Sequence, residues 1–256
     1  MTTPPDTPTV ALFVTCLVDL FRPSVAHAAI ELLEAAGCRV EVPSAQTCCG
    51  QPAFNAGDRR TARRLASQLL EAFAGYDHVV AHSGSCIGMW RQFPNLFAED
   101  DPRHQQALQR QQSCHELSQF LVEVRGYRPP PLDGAPTFTY HDSCAGLREL
   151  GIRTQPRQLL AERGATLVEM PNAEVCCGFG GTFCNKFDTI SNQMVSHKVE
   201  AAVASTAQLL LAGDLGCLLN IAGKVRREGV ALECRHFAEV LADQLHRPAI
   251  GQPQPE

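Results

Sequence analysis

Two cysteine sets with the same internal spacing constrain this chain more than any other feature. In each set 31 residues separate a first cysteine from a Cys-Cys-Gly triplet, Cys16 from Cys48-Cys49-Gly50 and Cys144 from Cys176-Cys177-Gly178. The second set is the first displaced by 128 positions, and Pro43 and Pro171 share that displacement. A further cysteine follows each triplet more loosely, Cys86 in SGSC and Cys217 in DLGC. Each half therefore offers four thiols. A repeat of half the 256-residue length predicts two similar units, each long enough for its own core.

Where such thiols work decides what they are for. No apolar run approaches the roughly 20 residues that a bilayer span requires. The start, MTTPPDTPTV, lacks the basic region and apolar core of a secretory signal, so a cytoplasmic location is expected. In that reducing compartment twelve cysteines indicate metal or redox chemistry rather than a disulfide framework. A net charge of −5 with scattered lysines and arginines offers no basic patch for nucleic acid. Arg59, Arg60, Arg63 and Arg64 read as the solvated face of a helix.

Apolar runs and their punctuation predict alternating strands and helices. The run Val10 to Val14 suits a buried strand that delivers Cys16. Pro23 opens a helix that stops at Gly37, and a strand from Arg39 to Val42 leads to the first triplet. Asp58 caps a helix ending at Gly75, and the strand His78 to Ala81 delivers Cys86 in a Gly/Ser turn. The reading continues with a mostly helical Trp90 to Gln112 and a short amphipathic helix, Glu116 to Val124. RGYRPPPLDGAP, residues 125–136, reads as a linker between halves spanning 1–128 and 129–256.

The second half repeats this order: strands from Thr137 to His141, Thr166 to Met170 and Gln208 to Ala212, and helices from Pro156 to Arg163 and from Asp188 to Ser205. The segment beginning at Cys114 also aligns with the one beginning at Cys234. The expected fold is α/β, with two pseudo-symmetric, Rossmann-like halves, mainly parallel sheets, and cysteine loops meeting at a shared crevice.

Four soft thiolates select zinc or an iron-sulfur cluster. Zinc usually uses Cys-x-x-Cys knuckles, and none of the eight thiols forms one. Adjacent cysteines can reach different metal atoms, which favours a multi-iron cluster. Zinc in one half remains open, because 39 residues separate Cys177 from Cys217 but 36 separate Cys49 from Cys86. Cys38, Cys114 and Cys234 read as core residues, and Cys184 as a candidate extra ligand or redox thiol. His141 reads as a satisfied core histidine, with a hydrogen-bond donor to the site or a proton carrier as the alternative, and His82 and His236 read the same way. GFGG follows a cysteine loop and is no dinucleotide fingerprint, so nicotinamide chemistry is not expected here.

TCCGQPAFNAGD, SGSC, YHDSC, CCGFGGTF and DLGC resemble, in order and over nearly the whole chain, the lactate utilization protein A group. That group shares a cysteine-rich CCG domain with the glycolate oxidase iron-sulfur subunit and with the cysteine-rich subunit of heterodisulfide reductase. The resemblance implies an iron-sulfur subunit that works with two partner proteins, one of them ferredoxin-like, in oxidising L-lactate to pyruvate. Carried over by position, the cluster ligands would be Cys16, Cys48, Cys49 and Cys86, then Cys144, Cys176, Cys177 and Cys217. The reductase pattern ends in Cys-x-x-Cys, whereas Met89 and Asn220 stand three positions after Cys86 and Cys217. One ordinary [4Fe-4S] cluster per half is therefore expected. The rivals are a zinc-stabilised scaffold and a subunit for glycolate or another sugar acid; no catalytic residue is identifiable.

Overall fold

A computed structural model describes residues 7–252. Most of the Pro- and Thr-rich start and the last four positions lie outside the described residues. Two four-stranded sheets organise the chain. The first contains β1 (Thr9–Phe13), β2 (Arg39–Glu41), β3 (His78–Ala81) and β4 (Cys114–Glu116) in the order β2-β1-β3-β4. The second contains β5 (Thr137–Tyr140), β6 (Thr166–Leu167), β7 (Leu209–Ala212) and β8 (Glu233–His236) in the order β6-β5-β7-β8. Every pairing is parallel. The expected α/β fold with two similar, parallel-sheet halves is therefore present.

Parallel strands buried on both faces need apolar residues at every position, and β1 supplies them. Val10 and Leu12 enter a central cluster, while Ala11 and Phe13 enter an outer one. β7 divides the same way, Leu209 and Leu211 inward, Leu210 and Ala212 outward. The central cluster draws on both sheets and on helix Pro23–Ala35, helix Thr154–Glu162 and helix Phe237–Leu241. Even the outer clusters are shared. Leu150 and Ile152 pack into that of the first sheet, and Val18, Val25 and Ala26 into that of the second.

Several local expectations change. Cys16 does not end a strand but begins a helix, Cys16–Phe21, because Val14 and Thr15 leave the sheet. Cys86 lies in the first turn of helix Gly84–Arg91 rather than in a turn. Cys114 to Glu116, whose sequence reads as the approach to a helix, is a strand, and only Leu117–Gln119 and a π-turn at Phe120–Val124 follow. The segment from Trp90 to Gln112 breaks into a 3-10 turn, Pro94–Leu96, and helix Pro102–Gln111. The strand expected from Thr166 to Met170 is only two residues long. Asp58 does cap helix Arg59–Ala72, accepting from Thr61 N–H at 3.0 Å. Asp188 is instead the first helical residue of Asp188–Ala204, with Phe187 as its cap.

A buried ion pair ties the halves together. Arg22 Nε donates to Glu239 Oε1 at 2.8 Å, Ser24 Oγ donates to the same oxygen at 2.7 Å, and Arg22 Nη2 donates to the Pro248 carbonyl at 2.6 Å. Removing one charge strands the other away from water, at a cost of about 3–5 kcal/mol. Glu239→Ala is therefore expected to lower the unfolding free energy by about that amount in denaturant titration. An unchanged midpoint would show that Arg22 finds water instead.

Candidate metal centres

The strand order places the thiols. With β1 between β2 and β3, the crossovers diverge to opposite sides of β1, leaving a crevice at the carboxyl ends of β1 and β3. Cys16 leaves β1 there, Cys86 leaves β3, and the Cys48-Cys49 loop arrives from β2. The second sheet repeats this with Cys144 after β5, Cys176-Cys177 after β6 and Cys217 after β7.

Within each half the four thiols touch in the same sequence. Cys16 Sγ lies 4.0 Å from Cys48 Sγ, Cys48 meets Cys49, and Cys49 meets Cys86. Cys144 meets Cys176, Cys176 meets Cys177, and Cys177 meets Cys217. The glycine after each pair turns the chain left-handed, with φ 86° at Gly50 and 84° at Gly178. That turn brings an amide to sulfur: Gly50 N–H donates to Cys48 Sγ at 3.5 Å and Gly178 N–H to Cys176 Sγ at 3.3 Å.

These contacts set the protonation pattern. Hydrogen bonds from Cys16 and Cys49, helped by Gly50 N–H, hold the Cys48 thiol well below its usual range against the effect of burial. Donating that hydrogen bond, together with burial, pushes Cys16 up. Cys49 rises through its contacts with Cys48 and Cys86 and through burial. In the second half Cys176 falls because Cys144 and Cys177 donate to it, and Cys144 and Cys177 rise. In each quartet the second thiol is thus held down while the thiols that donate to it are pushed up, since adjacent anions repel without a cation. A bound metal centre would remove that conflict.

The spread of the sulfurs tests which centre fits. Zinc–sulfur bonds of about 2.3 Å put the ligands of one tetrahedral ion about 3.8 Å apart. Among the described residues, the one group of three potential ligands whose donor atoms all lie within 4.8 Å is His141, Cys177 and Cys217. No three thiols of the first half crowd that closely, so its quartet forms a row wider than the shell of a single ion. A cavity of about 240 Å³ opens over that row. It is lined by Cys16, Cys48, Cys49 and Cys86 and, from the second half, by Phe179, Gly181, Thr182 and Asp214. A water's share of liquid is about 30 Å³, so the space exceeds what one ion fills. The first quartet therefore fits a multi-atom cluster. The second quartet does not line this cavity.

Asp214 joins the two units at the crevice. It caps helix Leu215–Glu228 through Gly216 N–H at 3.2 Å, and it accepts from Ser83 Oγ and Ser85 N–H, each at 3.1 Å. Close helix contact supports this. A Cβ on Gly84 would stand 2.8 Å from Gly146 Cα, so only glycine fits. Deeper in, Glu116 accepts from Ser118 N–H and Gln119 N–H, and burial raises its carboxyl to about 7.

The remaining cysteines and the histidines divide. Cys38, Cys114 and Cys234 are buried, and the Cys184 thiol turns to the Gly181 carbonyl at 3.3 Å. His236 is satisfied: its Nε2 lies 2.9 Å from the His82 carbonyl and its Nδ1 accepts from Ala238 N–H. His82 and His141 are not, contrary to expectation. Both are fully buried, and neither ring nitrogen of either has a hydrogen-bond partner. Burial holds His141 down to about 3, with Lys198 adding to it. Sequence reasoning misses Lys198, a buried lysine beside the second quartet that donates to the Asn172 carbonyl at 2.6 Å and the Ala173 carbonyl at 3.2 Å. Its sequence context, a helix of mixed polarity, carries no signal for that burial.

A duplicated α/β unit that presents four thiols defines a class of cysteine-rich domain proteins. The family profile described as CCG, cysteine-rich domain, matches residues 10–91 and 138–222. The chain is 45% identical to lactate utilization protein A of Geobacillus kaustophilus (strain HTA426) over 91% of this chain and 98% of that protein. It is 44% identical to lactate utilization protein A of Geobacillus thermodenitrificans (strain NG80-2), again over 91% and 98%. The chain therefore belongs to the lactate utilization protein A family, as its motifs suggested. Among solved structures, a hypothetical protein from Helicobacter pylori shares the fold at a TM-score of 0.63 and 12% identity, covering 98% of this chain and 50% of that one. This chain thus spans half the length of that structure. No helix among the described residues is long and apolar enough to cross a membrane.

The two triplet glycines differ in surroundings. A Cβ on Gly178 would meet the Ser191 carbonyl oxygen at 2.8 Å, whereas on Gly50 the nearest atom lies at 3.6 Å. Gly50→Ala is expected to cost about 1–2 kcal/mol from its left-handed backbone alone. Gly178→Ala adds a backbone clash and is expected to cost about 1–3 kcal/mol more. Equal losses in denaturant titration would refute this difference.

Glu116 gives a pH dependence. Between pH 4.5 and about 7 the folded protein keeps a proton that the unfolded chain has released, so stability falls across that window. Glu116→Gln should flatten this slope and stabilise the protein at pH 8 by roughly 1–3 kcal/mol. Denaturant titrations at pH 5 and pH 8 measure it.

Proposed function

We propose that this chain is the iron-sulfur subunit of a cytoplasmic, multi-protein system that oxidises L-lactate to pyruvate. The observation that supports this most is the wide row of four thiols beneath a cavity in the first half, with the same cysteine spacing and contact order in the second, in a member of a family whose curated relatives are named for lactate utilization. The halves, 1–128 and 129–256, would each hold one [4Fe-4S] cluster. Cys16, Cys48, Cys49 and Cys86 are the proposed ligands in the first half, and Cys144, Cys176, Cys177 and Cys217 in the second.

Oxidising lactate to pyruvate releases two electrons and two protons. Clusters in these sites would supply one-electron carriers, and the electrons would pass to partner proteins, one of them ferredoxin-like. The chain's own residues do the rest. The thiolates hold iron, Gly50 and Gly178 N–H groups offset negative charge on sulfur, and Phe179 and Leu215 limit water around the first site. Leu20 and Phe21, on the helix that begins at Cys16, are 71% and 61% exposed, the kind of surface that a partner covers.

Anaerobically purified protein is expected to contain about four irons and four sulfides per half by chemical analysis. Cys48→Ser and Cys176→Ser should each remove one half's paramagnetic signal and abolish lactate-dependent reduction in the presence of the partners. Stoichiometric zinc without sulfide, even after anaerobic reconstitution, would overturn the reading and leave a structural module. Reduction by glycolate but not lactate would reassign the substrate.

A further inference from the structure

The two quartets share their thiols but not their surroundings. His141 stands 128 positions after Phe13, each three residues before the first cysteine of its set. Phe13 belongs to an apolar cluster, edge-on to Phe73 at 5.6 Å and to Trp90 at 5.9 Å between ring centres. His141 puts an imidazole in the corresponding place. Its ring reaches within 4.8 Å of the Cys177 and Cys217 sulfurs, and all three residues are buried.

Two further observations point the ring at a ligand. Neither ring nitrogen has a hydrogen-bond partner, although the residue is fully buried, and an imidazole so placed leaves a lone pair unsatisfied. The Ala173 backbone carbonyl is near enough to favour a proton on the ring, although it completes no hydrogen bond to it. That carbonyl is fixed by Asp142 N–H at 3.2 Å and by Lys198 Nζ at 3.2 Å. Metal-bound histidines use such a carbonyl for the N–H that faces away from the metal.

We propose that His141 is a nitrogen ligand of the second-half centre, beside Cys177 and Cys217, so that this centre is mixed sulfur and nitrogen while the first is all sulfur. This rests on the reading that the quartets hold metal, but not on lactate as substrate or on iron as the element. An imidazole that takes the place of one of the four thiolates proposed above for the second half removes one negative charge. In an iron-sulfur cluster that raises the reduction potential, and in a zinc site it gives the common three-cysteine, one-histidine set.

Cys48→Ser protein, which lacks the first centre, isolates the second for the test. Purified anaerobically with ¹⁵N-labelled histidine, its reduced paramagnetic signal should show one imidazole coupling that changes with the isotope. If zinc is bound, X-ray absorption at the zinc edge should show one imidazole among sulfurs. His141→Phe, which places in the second half the side chain of the first, should abolish the coupling and reduce second-centre metal several-fold. An all-sulfur second centre in protein with His141 intact would overturn the proposal, and so would a coupling that survives His141→Phe, or a second half that takes up no metal. The labelling measurement does not depend on any His141 variant folding. Absence of lactate-dependent reduction would defeat the functional reading alone, and the imidazole coupling would still stand.

Discussion

Parallel pairing, with each sheet's first strand held between its second and third, is the constraint on which the sites depend. It forces all carboxyl ends to one edge and opens a crevice beside β1 and beside β5. Residues 32 or more positions apart then share a few ångströms, as Cys16 and Cys48 do at 4.0 Å. Helix Cys16–Phe21 and helix Cys144–Leu150 begin at the thiol itself, so a strand end and a helix start fix the same side chain. The left-handed glycine after each cysteine pair completes the arrangement by turning an amide toward sulfur.

The second constraint is the shared interior. Val10 and Leu12 pack in one cluster with Phe138 and Leu211, and each outer cluster borrows residues from the opposite half. Neither half buries its apolar surface alone, so the repeat that is visible in the sequence is not a pair of independent bodies. The crevice inherits that rigidity. Asp214 holds Ser83 and Ser85 across the junction, and Gly84 against Gly146 allows the backbones to meet. One wall of the first site's cavity is therefore built by residues far along the chain.

The parts legible in the sequence are those carried by spacing or by runs. The thiol sets, β1, β3 and β7 and the helix capped by Asp58 follow from local patterns of residues. β4 and β8 do not, because Cys114-His115-Glu116 and Glu233-Cys234-Arg235-His236 look polar, and their burial comes from tertiary packing, Cys114 and Cys234 lying in the two outer clusters. The helices that begin at Cys16 and Gly84 are hidden for another reason. A strand end and a helix start separated by two or three residues leave too little chain for either period to show. His82 and His141 read as satisfied because most buried histidines are; whether a partner stands opposite is a tertiary fact.

Duplication of the thiols does not make the two sites equivalent, because a site's chemistry depends equally on what stands behind the sulfurs. Leu65 faces Gly50 as Met194 faces Gly178, and the same step along the helices puts Leu69 opposite Lys198. The first quartet thus has Phe13 and Leu69 behind it and a cavity in front. The second has an imidazole and an ammonium behind it, and Cys177 and Cys217 are buried. A cation beside thiolates in a low dielectric offsets negative charge there, and the first site has no such group in the matching place. Identical ligand spacing would consequently give two centres of unequal charge and unequal access to solvent, and a difference in potential follows from those two terms without any change in the cysteines.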